Sequence, residues 1–138
     1  MTLTILLKLA ALLHTSLICA GAAMPKAVDL RRHLRVLPPF IQRLYWVYYG
    51  FIGLTIVSFG FLTWAYAEPM AAGAPVARAL SLLMAVFWLA RLFVAAFVFD
   101  LRPYLLSLRH HLGYHALNLV FAYLTGVYLW AVVKGFCL

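Results

Sequence analysis

The chain has 138 residues and very few charged side chains, acidic ones above all. Its acids are Asp29, Glu68 and Asp100, and charged residues make up 10% of the sequence, against about 25% in a typical soluble domain. A water-soluble fold needs a charged surface, whereas 67% of these residues are hydrophobic. The composition therefore excludes a soluble globular domain and indicates a protein whose solvent is lipid.

The sequence also lacks the patterns that carry common chemistries. Its two cysteines, Cys19 and Cys137, have no CxxC spacing and no partner pattern. No GxSxG, HExxH, P-loop or dinucleotide-binding motif is present. The three acids fall at span edges or in linkers, which leaves no buried carboxylate for general acid catalysis or proton-coupled export. We therefore expect a protein that is not an enzyme and holds no metal.

Long apolar stretches predict an all-α integral membrane bundle. A spanning helix needs roughly 20 apolar residues, and we place four spans in one transmembrane domain, at residues 3–23, 44–66, 77–99 and 112–133. The first span is ambiguous, because a short apolar run after Lys8 and the small residues 20–22 resemble a signal peptide. The basic stretch that follows resists export, so we favour a retained helix. Three spans remain if this segment does not cross.

Basic residues concentrate in two of the three linkers. Residues 26–37 and 101–111 each place apolar side chains at helical spacing between arginines, so each predicts a short amphipathic helix on the membrane surface. By the positive-inside rule both linkers are cytoplasmic and both termini lie outside, in a bacterial-type inner (cytoplasmic) membrane. We expect six arginines to contact anionic lipid headgroups: Arg31, Arg32, Arg35, Arg43, Arg102 and Arg109.

The net charge of +8 has the same explanation. In a soluble protein it would suggest nucleic acid as a partner. Here the basic residues lie between apolar spans, which indicates membrane topology and anionic lipid instead. We expect no nucleic-acid partner, since no module that enters a groove or stacks on bases has room to form.

Arg91 lies inside the third predicted span, where a charge costs on the order of 2.5–3.5 kcal/mol by insertion scales. Its helical neighbours are apolar, so a partner must come from another helix. At roughly 1.5 Å per residue, polar residues of the other spans fall at a similar depth. We hypothesise a buried polar layer around Arg91 that contains His14, Tyr48, Tyr49, His115 and Asn118. The alternative is that these side chains only hold the helices together by hydrogen bonds.

Three functions fit these features. The first is a non-enzymatic accessory or scaffold subunit that binds another membrane protein or a second copy of itself. The second is a redox subunit linked to quinone or haem, in which ligation by His14 and His115 requires both rings to face the interior. The third is a small oligomeric transporter of an anionic or polar solute. We expect the first, because the chain is small and has no catalytic constellation.

Overall fold

The computed structural model describes residues 1–99, 103 and 107–137, and all its regular structure is helical. In chain order the helices are α1 (Thr2–Ala27), α2 (Leu30–Leu34), α3 (Pro39–Ala65), α4 (Ala67–Ala71), α5 (Pro75–Phe97) and α6 (Leu108–Cys137). The helices α1, α3, α5 and α6 are long and apolar enough to cross a membrane. Over the described residues, the predicted all-α bundle of four membrane-length helices is therefore confirmed, and these four candidate spans support a multi-pass membrane protein.

The helix boundaries follow from local backbone chemistry. Pro39 and Pro75 occupy the first positions of α3 and α5, where a missing N–H costs nothing and the fixed φ suits a helix. Asp29 has a φ of 47°, a left-handed conformation that a right-handed helix cannot contain. The predicted surface helix over residues 26–37 is consequently divided: Lys26 belongs to the end of α1, and α2 is shorter than expected.

The second predicted surface segment, residues 101–111, is described in part. Its residues 108–111 form the beginning of α6. Arg102 and the rest of residues 100–102 and 104–106 lie outside the described residues. The predicted amphipathic helix in this linker stays a prediction over that stretch.

The long helices form two antiparallel pairs, α1 with α3 and α5 with α6. Near one end of the α1–α3 pair the Tyr49 hydroxyl donates a hydrogen bond to the carbonyl of Gly21. Near the other end the Lys8 ammonium lies 5.8 Å from the centre of the Trp64 ring. The helix α5 packs along α6, α1 also contacts α6, and α4 closes one end of the bundle against α1 and α6.

Arg78 joins α5 to the last turn of α6 at that same end. Its guanidinium donates a hydrogen bond of 2.7 Å to the carbonyl of Gly135 and lies 4.5 Å from the centre of the Phe136 ring. The last carbonyls of a helix lack backbone donors and carry partial negative charge, so a cation stabilises them. Gly135 permits the contact, because a Cβ there would lie 3.1 Å from the Cα of Gly73.

Gly60 sets the distance between α1 and α3. A Cβ at this position would lie 2.9 Å from the Cβ of His14 and 3.5 Å from the carbonyl oxygen of Ala11. Small residues allow helix backbones to approach closely in membranes, where association depends on van der Waals contact. The close approach seals the buried side of α1 against α3 at the level of His14.

We predict that Gly60→Ala destabilises the bundle. The added Cβ forces α1 and α3 apart, which should lower the free energy of unfolding by about 1–3 kcal/mol. Gly53→Ala on the same helix is the matched control, since nothing lies within 4 Å of a Cβ there. In the control, helix propensity alone should add up to about 1 kcal/mol of stability. Thermal unfolding in detergent, followed by circular dichroism, measures both; equal effects would contradict the close contact.

Candidate functional site

The most polar part of the bundle interior is a group of side chains that we call the central cluster: His14, Thr63, Met84, Trp88, Phe121 and Tyr128. All four long helices contribute to it. Every member is buried, and Trp88 and Tyr128 are the largest side chains that are fully enclosed. The central cluster is therefore the place where the polar groups of the sequence meet.

His14 is enclosed on α1, with 1% of its surface exposed. Its Nδ1 donates a hydrogen bond of 2.7 Å to the carbonyl of Ala10, one turn earlier. This bond assigns the proton of the neutral ring to Nδ1 and leaves Nε2 as an acceptor. Among the described residues Nε2 has no hydrogen-bond partner, and the same holds for the indole N–H of Trp88. The ring centres of these two residues lie 5.3 Å apart in an edge-to-face arrangement.

Thr63 connects α3 to both α5 and α6. Its hydroxyl lies 2.6 Å from the hydroxyl of Tyr128 and 3.5 Å from the sulfur of Met84. A thioether sulfur can only accept, so the Thr63 hydroxyl donates its proton to Met84. The Tyr128 hydroxyl must then be the donor in its hydrogen bond with Thr63. This relay satisfies both hydroxyls without water and links three helices at one point.

Aromatic rings extend the central cluster to Arg91. The rings of Trp88 and Phe121 are stacked, with centres 5.6 Å apart and planes inclined by 20°. The guanidinium carbon of Arg91 lies 5.3 Å from the centre of the Phe121 ring and 5.6 Å from that of Phe99. A cation over an aromatic face gains about 0.5–2 kcal/mol, the more so when desolvated. The half-buried Arg91 thus contacts ring faces, and His14 and Arg91 lie at opposite ends of one column of rings.

The residues predicted to surround Arg91 differ in burial, and they do not form one layer around it. Asn118 is half-buried on α6, one turn before Phe121, and Tyr49 is half-buried with its hydroxyl bonded to Gly21. Tyr48 is 62% exposed, and His115 is exposed with its ring beside that of Tyr114. Within the described residues no hydrogen bond joins Arg91 to any of them. His14 is the member that the structure brings to the same column.

Sequence reasoning missed most of the central cluster. Met84 and Trp88 lie seven and three residues before Arg91, among the apolar helical neighbours that cannot pair with it. Thr63 and Tyr128 belong to uncharged spans and stand at no motif spacing. One pattern in the sequence pointed to it: positions 84, 88 and 91 are four and three residues apart, which places Met84, Trp88 and Arg91 on one face of a helix.

The residues around His14 do not fit a haem held between His14 and His115. One feature is suitable, since a ligating histidine commonly donates its second N–H to a backbone carbonyl, as His14 does. The rings of Trp88 and Tyr128, however, already cover His14. His115 lies on the exposed side of α6 and close to its beginning. Across the described stretches no group of three or more His, Cys, Asp or Glu side chains is arranged to hold a metal ion.

The described arginines that are predicted to contact lipid lie at the α2 end of the bundle. Arg31, Arg32 and Arg35 are exposed on or beside α2, and Arg43 is exposed in the first turns of α3. Arg109 is exposed at the beginning of α6, while Arg102 lies outside the described residues. Their accessibility leaves them free to meet headgroups.

Comparisons of the chain with protein-family models, with curated proteins and with solved structures gave no match.

We predict that Thr63 and Tyr128 stabilise each other. In a double-mutant cycle of Thr63→Val and Tyr128→Phe, the coupling energy should be about 0.6–1.7 kcal/mol, the range found between membrane helices. Reversible unfolding in mixed detergent micelles measures it. Ser81→Ala combined with Tyr128→Phe is the control, because the Ser81 hydroxyl bonds the carbonyl of Ala77 in its own helix. A coupling energy near zero for the first pair would show that the hydroxyl bond does not hold α3 to α6.

Proposed function

We propose that this protein is a non-enzymatic accessory or scaffold subunit of a membrane, and that it binds its partner through the outer face of α3. The observation that carries the proposal is the small share of α3 inside the bundle. Of its 27 residues only Phe59 and Thr63 are buried, whereas six of the 23 residues of α5 are. The exposed apolar residues of α3 give it a broad outer surface, and they include Phe51, Leu54, Val57 and Phe61.

The way the interior uses its polar groups supports the same proposal. The hydroxyls of Ser81 and Thr125 bond the preceding turn of their own helices, and Thr63 bonds Tyr128 across helices. Arg78 is engaged with the end of α6. These contacts hold one packed arrangement, which suits a subunit that presents a fixed surface.

Two features support a retained first helix and one orientation. On α1, Leu3, Leu7 and His14 are among the buried residues, so α1 supplies one side of the core. The end of the bundle at α2 carries Lys26, Arg31, Arg32, Arg35 and Arg43. We propose that this end is cytoplasmic in a bacterial-type inner membrane, with both termini outside.

The orientation has a direct test in a cysteine-free background, with Cys19 and Cys137 replaced by serine. Val36→Cys and Val76→Cys form a matched pair, because the native valines are 85% and 83% exposed at opposite ends of the bundle. We expect a membrane-impermeant maleimide added to intact cells to label position 76 and spare position 36. Permeabilised cells should show labelling of both. Labelling of position 36 alone in intact cells would reverse the orientation.

The interaction face is tested with a photo-reactive amino acid placed at Phe51 of α3 or at Phe93 of α5. These residues are 61% and 59% exposed, and each lies about two turns towards the same end from the touching Phe59 and Phe87 rings. In native membranes at native expression, position 51 should give one discrete protein adduct and position 93 none. An adduct of twice 15.5 kDa identifies a second copy. Adducts with lipid alone at both positions would contradict the scaffold function.

A further inference from the structure

The corner between α1, α2 and α3 holds two adjoining cavities, which we call the corner groove. The first has a volume of about 430 Å³ and is lined by Arg31, Leu34, Arg35, Gln42 and Trp46. The second, of about 370 Å³, shares Arg31 and Trp46 and adds Lys26, Asp29 and Tyr49 among its walls. Both cavities open at the basic end of the bundle.

The backbone at Asp29 creates the corner groove. Its left-handed conformation, with a φ of 47°, turns the chain between α1 and α2. Leu34 then anchors α2 on the bundle, with 7% of its surface exposed. Arg31 and Arg35 are four positions apart, so they project from the same face of this turn. Both line the first cavity together.

The charges that line the corner groove favour an anion. Lys26, Arg31 and Arg35 supply three cations, and Asp29 supplies the one carboxylate. The amide nitrogen of Gln42 donates a hydrogen bond of 2.8 Å to the carbonyl of Leu37, which holds the wall opposite the arginines in place. Two guanidinium groups that line one cavity suit a phosphate group, because each guanidinium can donate paired N–H bonds to its oxygens.

The aromatic residues beside the corner groove indicate its depth in the membrane. Tyr45, Trp46 and Tyr49 form one group with ring centres 5.7–6.0 Å apart. Tyrosine and tryptophan concentrate at the level of lipid headgroups. The arginines that line the groove therefore lie where a phospholipid carries its phosphate, and the exposed apolar side of α3 continues from there into the membrane.

We propose that the corner groove is a specific binding site for the phosphate of an anionic phospholipid of the surrounding leaflet. Arg31 and Arg35 bind the phosphate, Lys26 adds to the positive potential, and Trp46 packs against the headgroup. The proposal does not rest on the scaffold function, because the two arginines that bind the phosphate lie on α2 and at its end and not on α3.

Native mass spectrometry of the full chain, released from detergent with phosphatidylglycerol or phosphatidylethanolamine, tests the proposal. We expect the wild-type protein to retain phosphatidylglycerol more tightly than phosphatidylethanolamine, and inorganic phosphate at the same concentration to leave the bound lipid in place. The variant R31Q/R35Q should bind phosphatidylglycerol about 10- to 100-fold more weakly, since it loses two charge-assisted contacts.

The control variant R32Q/R43Q removes two charges from the same end of the bundle at residues that do not line the groove. Arg32 and Arg43 are expected to meet the headgroup layer of a bilayer, which is absent in detergent, so the control should there bind phosphatidylglycerol within about twofold of wild type. Equal losses in the two variants would overturn the proposal in favour of diffuse surface attraction. Equal retention of the two lipids, or full displacement by inorganic phosphate, would overturn it as well.

A second variant, R31K/R35K, keeps the charge and removes the paired geometry. We expect intermediate affinity for phosphatidylglycerol, because lysine binds phosphate as a point charge. Circular dichroism and thermal unfolding establish that each variant is folded. If R31Q/R35Q does not fold, R31K/R35K carries the test, and wild-type affinity in that variant would overturn the paired-arginine site.

Discussion

In lipid, every backbone N–H and C=O group must find its partner inside the chain, and the architecture of this protein follows from that constraint. The four long helices pair their own backbones, and the connections between them are short. The constraint reaches the helix ends too. Arg78 donates to the carbonyl of Gly135 in the last described turn of α6. A glycine also suits this end, because a Cβ at position 135 would make a tight contact, 3.1 Å, with the Cα of Gly73.

Polar side chains inside the bundle are also shielded from water, so they too need partners within the protein. Thr63 and Tyr128 satisfy each other, and His14 returns one ring nitrogen to its own helix. Arg91 lies against the rings of Phe99 and Phe121, which offer negative faces to a cation. Among the described residues no acid is buried, and the contacts of the Arg91 guanidinium are with aromatic faces. The result is a column of rings that connects α1, α5 and α6 and restrains the helices laterally.

The two ends of the bundle differ in charge and in packing. The end with α4 is closed by packing, with Ala67 and Met70 almost fully buried. The end with α2 is open, basic and lined by aromatic residues at the corner groove. Because α2 is anchored by Leu34 alone among its five residues, its arginines stay accessible. The apolar face of α3 and the basic corner beside it are the two surfaces on which the proposed scaffold and lipid-binding roles depend.

The sequence by itself indicated lipid surroundings, an all-helical fold and four membrane-length helices. Composition and the length of apolar runs carry this information, because neither depends on which helices pack together. It also identified Arg91 and the basic linkers, since a charge in an apolar span is conspicuous wherever it points. Tertiary structure alone decided which polar residues meet. Depth along a helix is readable from residue spacing, but rotation about the helix axis depends on packing against neighbours. That rotation places Tyr48 and His115 outward and His14 inward. It also joins Thr63 to Tyr128, 65 positions apart, and the φ of Asp29 decides that the basic linker folds into a groove.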